Sequence, residues 1–148
     1  MLTRKSKYGL KALLMLAEEA GQGPVLVADL AERQRIPKKF LEAILLDLKR
    51  HGFLVSKKGK GGGYLLSRAP STITVGQIIR VLEGPLALGP CASQTQYRRC
   101  EECVDEATCG VRVAMVEVRD ATSRILDKTT LSALNAKSRR QARPRHRT

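Results

Sequence analysis

The sequence contains no tryptophan, and only 3% of its 148 residues are aromatic. Single-stranded nucleic acids are commonly held by stacking of bases on aromatic side chains, so this mode of binding is disfavoured. Long apolar runs are also missing: the early stretch ALLMLA has six residues and is followed by Glu18 and Glu19. This stretch is too short for a membrane span or a secretion signal. We therefore expect a cytoplasmic protein without membrane contact, whose thiols are kept reduced.

Acidic residues are few, with 14 Asp and Glu against 27 Lys and Arg, a formal net charge of +13. A domain with such an excess of positive charge usually binds a polyanion. Six of the basic residues lie in residues 137–148, a segment with no acid and no apolar periodicity. This composition predicts a disordered basic tail over residues 135–148, either solvated or acting as a non-specific DNA-binding arm.

Three helical segments, SKYGLKALLMLAEEAG, VADLAERQ and IPKKFLEAILLDLKRHG, occupy the first third of the chain. They are followed by GFLVSKKGKGGGYLLSRAP, in which two short apolar runs flank a stretch of Lys and Gly. Such a pattern predicts a β-hairpin with a flexible basic tip. Three helices followed by a hairpin predict a winged helix-turn-helix domain over residues 1–84, a mainly α fold with a small β-hairpin wing.

The third helix and the hairpin supply the candidate DNA contacts. Lysines can bind phosphates, glycines let the backbone approach a sugar–phosphate chain, and a glutamate can accept a hydrogen bond from a cytosine amino group. The alternatives are a solvated helix end and an ordinary exposed hairpin with solubilising lysines. The candidate residues are Lys38, Lys39 and Glu42 in the helix and Lys57, Lys58, Lys60, Gly61, Gly62 and Gly63 in the hairpin.

A fourth helix, ITVGQIIRVLEG, begins with Thr74 and Gln77 at the spacing of a capping box. After a cysteine-containing loop, which we assign to residues 85–109, an apolar stripe predicts a long helix from Gly110 to Lys128, and we assign residues 110–134 to this dimerisation helix. The stripe consists of Val111, Met115, Val118, Thr122 and Ile125. A monomer of this size has little left to cover that stripe, so we expect the helix to pair with its copy in a homodimer.

All four cysteines, Cys91, Cys100, Cys103 and Cys109, lie in the loop. Thiolates favour zinc or iron–sulfur clusters, and in a reducing compartment these roles outrank a structural disulfide. Zinc usually has two tight C-x-x-C pairs, whereas only Cys100 and Cys103 have that spacing here. A thiol oxidoreductase built on this pair is disfavoured, because the βαβ pattern that normally frames such a motif is missing.

The stretch GFLVSKKGKGGGYLLSRAPSTITVGQIIRVLEG resembles the wing and the following helix of the Rrf2 family of bacterial winged-helix regulators, which includes the IscR, NsrR, RirA and CymR types. The resemblance extends from the start of the chain to about residue 134. It implies a homodimer that binds a palindromic element in double-stranded DNA, with crossed long helices joining the subunits. It also implies that Glu42 reads a base, while Lys39 and Ala43 stand where the IscR type has polar base-reading residues.

Several members of that family carry an iron–sulfur cluster on three cysteines between the fourth and the long helix, and Cys91, Cys103 and Cys109 match that trio. Cys100 is an additional thiol, and Arg112 stands where the IscR type has its histidine ligand. The resemblance implies either a 2Fe–2S or 4Fe–4S cluster with Cys100 as fourth ligand, or a cluster-free thiol sensor like the members that regulate sulfur metabolism. Zinc is a further alternative.

Taken together, these residues predict a dimeric, sequence-specific transcriptional regulator and not an enzyme. Most members of the family are repressors, and the four-cysteine loop would report iron–sulfur, redox or sulfur status. The rival from another class is a basic nucleic-acid-binding protein without sequence choice, which competition with random DNA would reveal.

Overall fold

The computed structural model describes residues 2–142, which form six α-helices, one antiparallel hairpin and two single 3₁₀ turns. The mainly α fold with a small hairpin agrees with the sequence-based prediction. The α-helices are α1 Arg4–Glu18, α2 Val27–Gln34, α3 Lys38–Arg50, α4 Val75–Leu82, α5 Gly110–Leu126 and α6 Leu131–Ala142; the strands are β1 Leu54–Lys57 and β2 Gly63–Leu66; the 3₁₀ turns are Pro70–Thr72 and Pro90–Ala92.

The first three helices pack around a core made largely of leucine. Thr3 caps α1 by accepting a hydrogen bond from the Ser6 backbone N–H. In the same core, α3 buries Leu41, Leu45 and Leu48 completely. These side chains recur at helical spacing, so one face of α3 is fixed in the core and the opposite face is left to solvent.

The hairpin pairs Leu54 with Leu66 at its base and Lys57 with Gly63 near its tip. Val25, in the loop before α2, extends it by a bridge: its N–H donates to the Tyr64 carbonyl at 2.8 Å, and the Tyr64 N–H donates to the Val25 carbonyl at 2.9 Å. Backbone bonds to a third segment stabilise a hairpin that would be marginal alone. We call residues 54–66 the wing.

The capping box at the start of α4 is confirmed. The Thr74 hydroxyl accepts from the Gln77 N–H, and the Gln77 side chain accepts from the Thr74 N–H. Two orphan donors of the helix N-terminus are thereby satisfied.

The long helix ends at Leu126, close to the predicted Lys128, but the assignment of residues up to 134 to the same helix was wrong. α5 ends at Leu126, and the chain turns back toward α4, where the Thr129 carbonyl accepts from the Val75 N–H at 2.9 Å. Leu131 is completely buried in the main core. Burial of this leucine favours the turn over continuation of α5, because a continued helix would leave its side chain in water.

The expectation of disorder was also wrong for residues 135–142, which belong to α6. This helix packs on α1, and the Asn135 side-chain amide donates to the Leu14 carbonyl at 2.9 Å. The polar composition concealed the helix because Leu131 and Asn135 are its only buried residues. Residues 143–148, the rest of the predicted basic tail, lie outside the described residues.

Within residues 2–142, every helix is too short or too polar to cross a lipid bilayer.

Candidate nucleic-acid interface and cysteine cavity

The outward face of α3 carries the charged residues that the sequence singled out. Lys38, Lys39 and Glu42 are exposed in the first turns of α3, and we call them the reading face. The Lys38 ammonium lies 4.0 Å from the Glu42 carboxylate, with both side chains more than half exposed. Such an exposed pair contributes little to stability, so both charges remain available to a partner.

The wing presents Lys57, Lys58 and Lys60 to solvent at and beside its tip. A hydrogen bond of 2.8 Å from the Lys49 ammonium to the Ser56 hydroxyl joins the end of α3 to β1. The reading face and the wing lysines therefore belong to one packed unit.

Glycine is favoured in the wing for two different physical reasons, a positive φ or the lack of room for a Cβ. Gly59 and Gly61 have φ values of +89° and +75°, and a Cβ at either would meet nothing within 4 Å. A Cβ on Gly62 would lie 2.4 Å from the Lys57 carbonyl oxygen, and one on Gly63 would lie 2.2 Å from the Val25 carbonyl oxygen. For Gly62 and Gly63, the close approach visible in the structure is to the chain's own backbone.

The four cysteines line one cavity of about 460 Å³ between the Pro90–Ala92 turn and the start of α5. The neighbouring Cys91 thiol raises the pKa of Cys100. Cys109 is the N-cap of α5, and its sulfur accepts from the Arg112 N–H at 3.5 Å. The structure thus brings together the cysteines that the sequence separates by up to 18 positions.

The donor set suits a thiolate-bound metal centre, but the thiols are not gathered tightly. Within residues 2–142, no three Cys, His, Asp or Glu side chains stand close enough together to hold a metal ion. The cavity therefore fits an iron–sulfur or zinc site in the chemistry of its donors, although such a site would require the loop to draw the sulfurs together.

Two arginines on α5, which the sequence reasoning did not select for this role, hold the turn that carries Cys91. The Arg112 side chain donates to the Cys91 carbonyl at 3.2 Å, and the Arg119 side chain donates to the Ala92 carbonyl at 2.8 Å. Their spacing of seven residues places both on one face of the helix, which is the only signal the sequence offered. Arg112 thus contacts the backbone of a candidate ligand residue.

An ion pair joins α4 to the end of α5. The Arg80 guanidinium donates to both carboxylate oxygens of Asp127, at 2.5 and 2.9 Å. These hydrogen bonds hold the pKa of Asp127 below its ordinary value. Gly76 leaves room for the pair, because a Cβ there would lie 2.0 Å from an Asp127 oxygen.

The apolar stripe of α5 is uncovered in the single chain. None of the α5 residues is buried, and Val111 and Ile125 are 71% and 63% exposed. Exposed apolar side chains along one helix commonly mark an interaction surface.

A helix-turn-helix with an exposed charged face, followed by a lysine-tipped hairpin, defines the winged-helix class of DNA-binding proteins. The Rrf2 family model, described as "Iron-dependent Transcriptional regulator", matches residues 2–137. The chain belongs to the Rrf2 family, whose members are transcriptional regulators and not enzymes, and which bind DNA, typically as dimers.

Particular relatives agree with this assignment. An rrf2-like HTH-type transcriptional regulator of Rhodobacter capsulatus is 40% identical over 139 residues, covering 92% of this chain and 93% of the relative. The structure of CymR (YrzC), the global cysteine regulator of B. subtilis, matches with a TM-score of 0.77 and 32% identity over 93% of this chain and 97% of that one. The structure of T. potens IscR matches with a TM-score of 0.76 and 29% identity, covering 98% and 93% of the two chains.

Proposed function

We propose that the protein is a cytoplasmic, homodimeric repressor that binds a palindromic promoter element and responds to the state of its cysteine loop. The observation that carries the proposal is the common exposure of the reading face and the wing lysines on one packed unit. In each half-site, α3 enters the major groove, where Glu42 can accept from a cytosine amino group. The wing lysines bind phosphates next to it.

Pairing of α5 with its copy would bury the apolar stripe and set the distance between the two reading faces. Two heads of a helix-turn-helix dimer bind half-sites about 34–36 Å apart, one turn of DNA. A small change in the angle of α5 therefore alters the match to the operator. The Arg80–Asp127 pair supports this route, because it links α5 to the DNA-binding domain through α4.

For the sensor, we propose that Cys91, Cys100, Cys103 and Cys109 hold an iron–sulfur cluster, of 2Fe–2S or 4Fe–4S type. The support is that all four thiols line one cavity. Such a cluster, when bound, would supply thiolate cross-links between the loop and the start of α5 that depend on iron and redox state. The contacts of Arg112 and Arg119 with the Pro90–Ala92 turn then pass any loop displacement to α5.

A second candidate is a cluster-free thiol regulator, or a zinc-containing one, acting in cysteine or sulfur metabolism. Two observations favour it: no three ligand side chains of the described residues are grouped closely enough for a metal, and Cys91 and Cys100 line the same cavity, which would allow oxidation of this pair. The similarity to the global cysteine regulator CymR is consistent with this candidate.

DNA binding is tested by fluorescence anisotropy with the protein's own promoter fragment and a scrambled fragment over a range of salt concentrations. We expect a preference of about 10³-fold or more for the promoter. Replacing Lys57, Lys58 and Lys60 by Ala should weaken binding and reduce the slope of log affinity against log salt by about 0.9 for each lost phosphate contact. The matched control removes three exposed charges outside the reading face, the wing and the basic tail, with Ala at Lys7, Arg124 and Lys128. Equal affinity for both fragments in every thiol and metal state would refute the proposal.

The sensor is tested by the absorption spectrum and iron content of protein purified without oxygen. A four-thiolate cluster predicts a brown protein that loses iron when either Cys91 or Cys100 is replaced by Ser. A colourless wild type favours the second candidate, and zinc analysis with thiol titration then separates its two forms. Both candidates would be contradicted if the operator affinity of the wild type did not respond to oxidant, nitric oxide or chelator, or if the four-serine variant responded in the same way as the wild type.

A further inference from the structure

The turn between α2 and α3 contains an unusual backbone conformation. Among residues 2–142, Arg35 is the only non-glycine residue with a positive φ, at +54° with ψ at +50°. It ends α2 in a Schellman motif: the Arg35 N–H donates to the Glu32 carbonyl at 3.2 Å and the Ile36 N–H donates to the Ala31 carbonyl at 2.9 Å. Glycine, or sometimes asparagine, usually occupies this left-handed position, because a Cβ is strained there.

The residues that follow Arg35 hold the turn in place. Ile36 is 4% exposed and anchors the turn in the core, and Pro37 is the N-cap of α3. A glycine at position 35 would satisfy the same hydrogen bonds without strain. Strained residues in an otherwise well-satisfied turn are enriched at functional sites, so the arginine side chain requires a reason of its own.

Its surroundings in the chain indicate what that reason is. Arg35 is exposed and lies three residues before Lys38, the first residue of the reading face. Within the described residues, no carboxylate lies within 4.0 Å of its guanidinium, whereas nearby Arg33 pairs with Glu19 at 3.0 Å. Arg35 is thus a cation without an acidic partner, next to the element assigned to the major groove.

We propose that Arg35 binds a phosphate of the operator backbone at the edge of the groove that α3 enters. The inference rests on the proposed function, because it requires α3 to be the DNA-reading helix. A guanidinium can form two parallel hydrogen bonds to one phosphate, and such a contact fixes the position of the helix without reading sequence.

The decisive variant is Arg35→Gly, because relief of the strain should raise the Tm of the protein while loss of the phosphate contact should lower its affinity for DNA. Removing the strained Cβ should raise the Tm by about 3 °C. Loss of the phosphate contact in both subunits should lower affinity for the promoter fragment about 10-fold in 0.1 M salt, and reduce the salt slope by about 2 per dimer. The loss should be similar for promoter and scrambled fragments.

Two controls separate this contact from a general loss of charge. Arg33→Gln removes an equal charge two residues away, and it should leave the salt slope unchanged because Arg33 is paired with Glu19. Arg35→Lys keeps both the charge and the strain, so its slope should stay near the wild-type value.

An Arg35→Gly variant with wild-type slope and affinity would overturn the inference, as would one no more stable than wild type. If that variant binds normally while the wing-lysine variant is weakened, only this inference fails. If wild-type protein does not prefer its promoter, the proposed function fails with it.

Discussion

Adding one methyl group to Gly63 should damage the wing through the chain's own backbone. The new Cβ would lie 2.2 Å from the Val25 carbonyl oxygen and 2.9 Å from the Leu26 nitrogen, and Gly63 has a φ of +140°. Real Cβ atoms do not approach other atoms so closely, so β2 must move away from residues 25 and 26.

The loss of folding free energy can be estimated from the interactions that this movement removes. The two hydrogen bonds between Val25 and Tyr64 contribute about 1 kcal/mol each, and alanine at a positive φ costs about 1 kcal/mol. Gly63→Ala should therefore destabilise the protein by about 3 kcal/mol, which lowers the Tm by about 10 °C.

Gly61→Ala is the matched comparison, because Gly61 also has a positive φ, +75°, but a Cβ there would meet nothing within 4 Å. Gly61→Ala should lose only the contribution from alanine at a positive φ, about 1 kcal/mol of stability, which lowers the Tm by about 3 °C. Thermal unfolding followed by circular dichroism measures both variants without DNA. Equal Tm values for the two variants would refute the argument that Gly63 is required by contact with Val25.

Three further outcomes follow from the other contacts. Because Arg80 lowers the pKa of Asp127, the ionised carboxylate stabilises the protein above the unfolded pKa of about 3.9, and this contribution is lost as pH falls through the lower folded pKa. Between about pH 5 and pH 2, the free energy of unfolding should therefore fall less in Asp127→Asn than in wild type. Parallel curves of unfolding free energy against pH would contradict this. Arg119→Ala should free the Pro90–Ala92 turn and speed alkylation of Cys91 about 10-fold, since a hydrogen bond from a charged donor contributes about 1.5 kcal/mol. Arg124→Ala, at an exposed position of the same helix, is the control. Equal alkylation rates in the two variants would show that Arg119 does not restrain the turn. Replacing Val111 and Ile125 by Glu should convert the dimer to a monomer in sedimentation experiments without lowering its helical content, and an unchanged dimer would move the interface away from this stripe.

Much of the fold was present in local sequence patterns. Helical spacing of leucines defined α1 and α3, the Thr74–Gln77 spacing defined the start of α4, and the Lys–Gly stretch between two apolar runs defined the wing. These features depend on interactions between residues close in sequence, so periodicity and capping rules are sufficient to predict them.

The reversal of the chain after α5 and the whole of α6 could not be predicted in the same way. Leu131 is one apolar residue in a polar stretch, and only its burial against distant parts of the chain shows that the long helix stops before it. A helix with two buried residues has almost no hydrophobic periodicity, and its composition resembles that of a disordered tail.

The sequence by itself determined the class of this protein: a basic winged helix with a reading helix, a lysine-tipped wing and four thiols in one loop, all encoded by neighbours along the chain. Only the tertiary structure decided that Gly63 accommodates Val25, that Arg112 and Arg119 hold the turn bearing Cys91, and that Arg35 occupies a strained position beside the reading face. The physical reason is that a clash, a hydrogen bond to a distant carbonyl and a fixed backbone angle arise only when packing brings remote segments together.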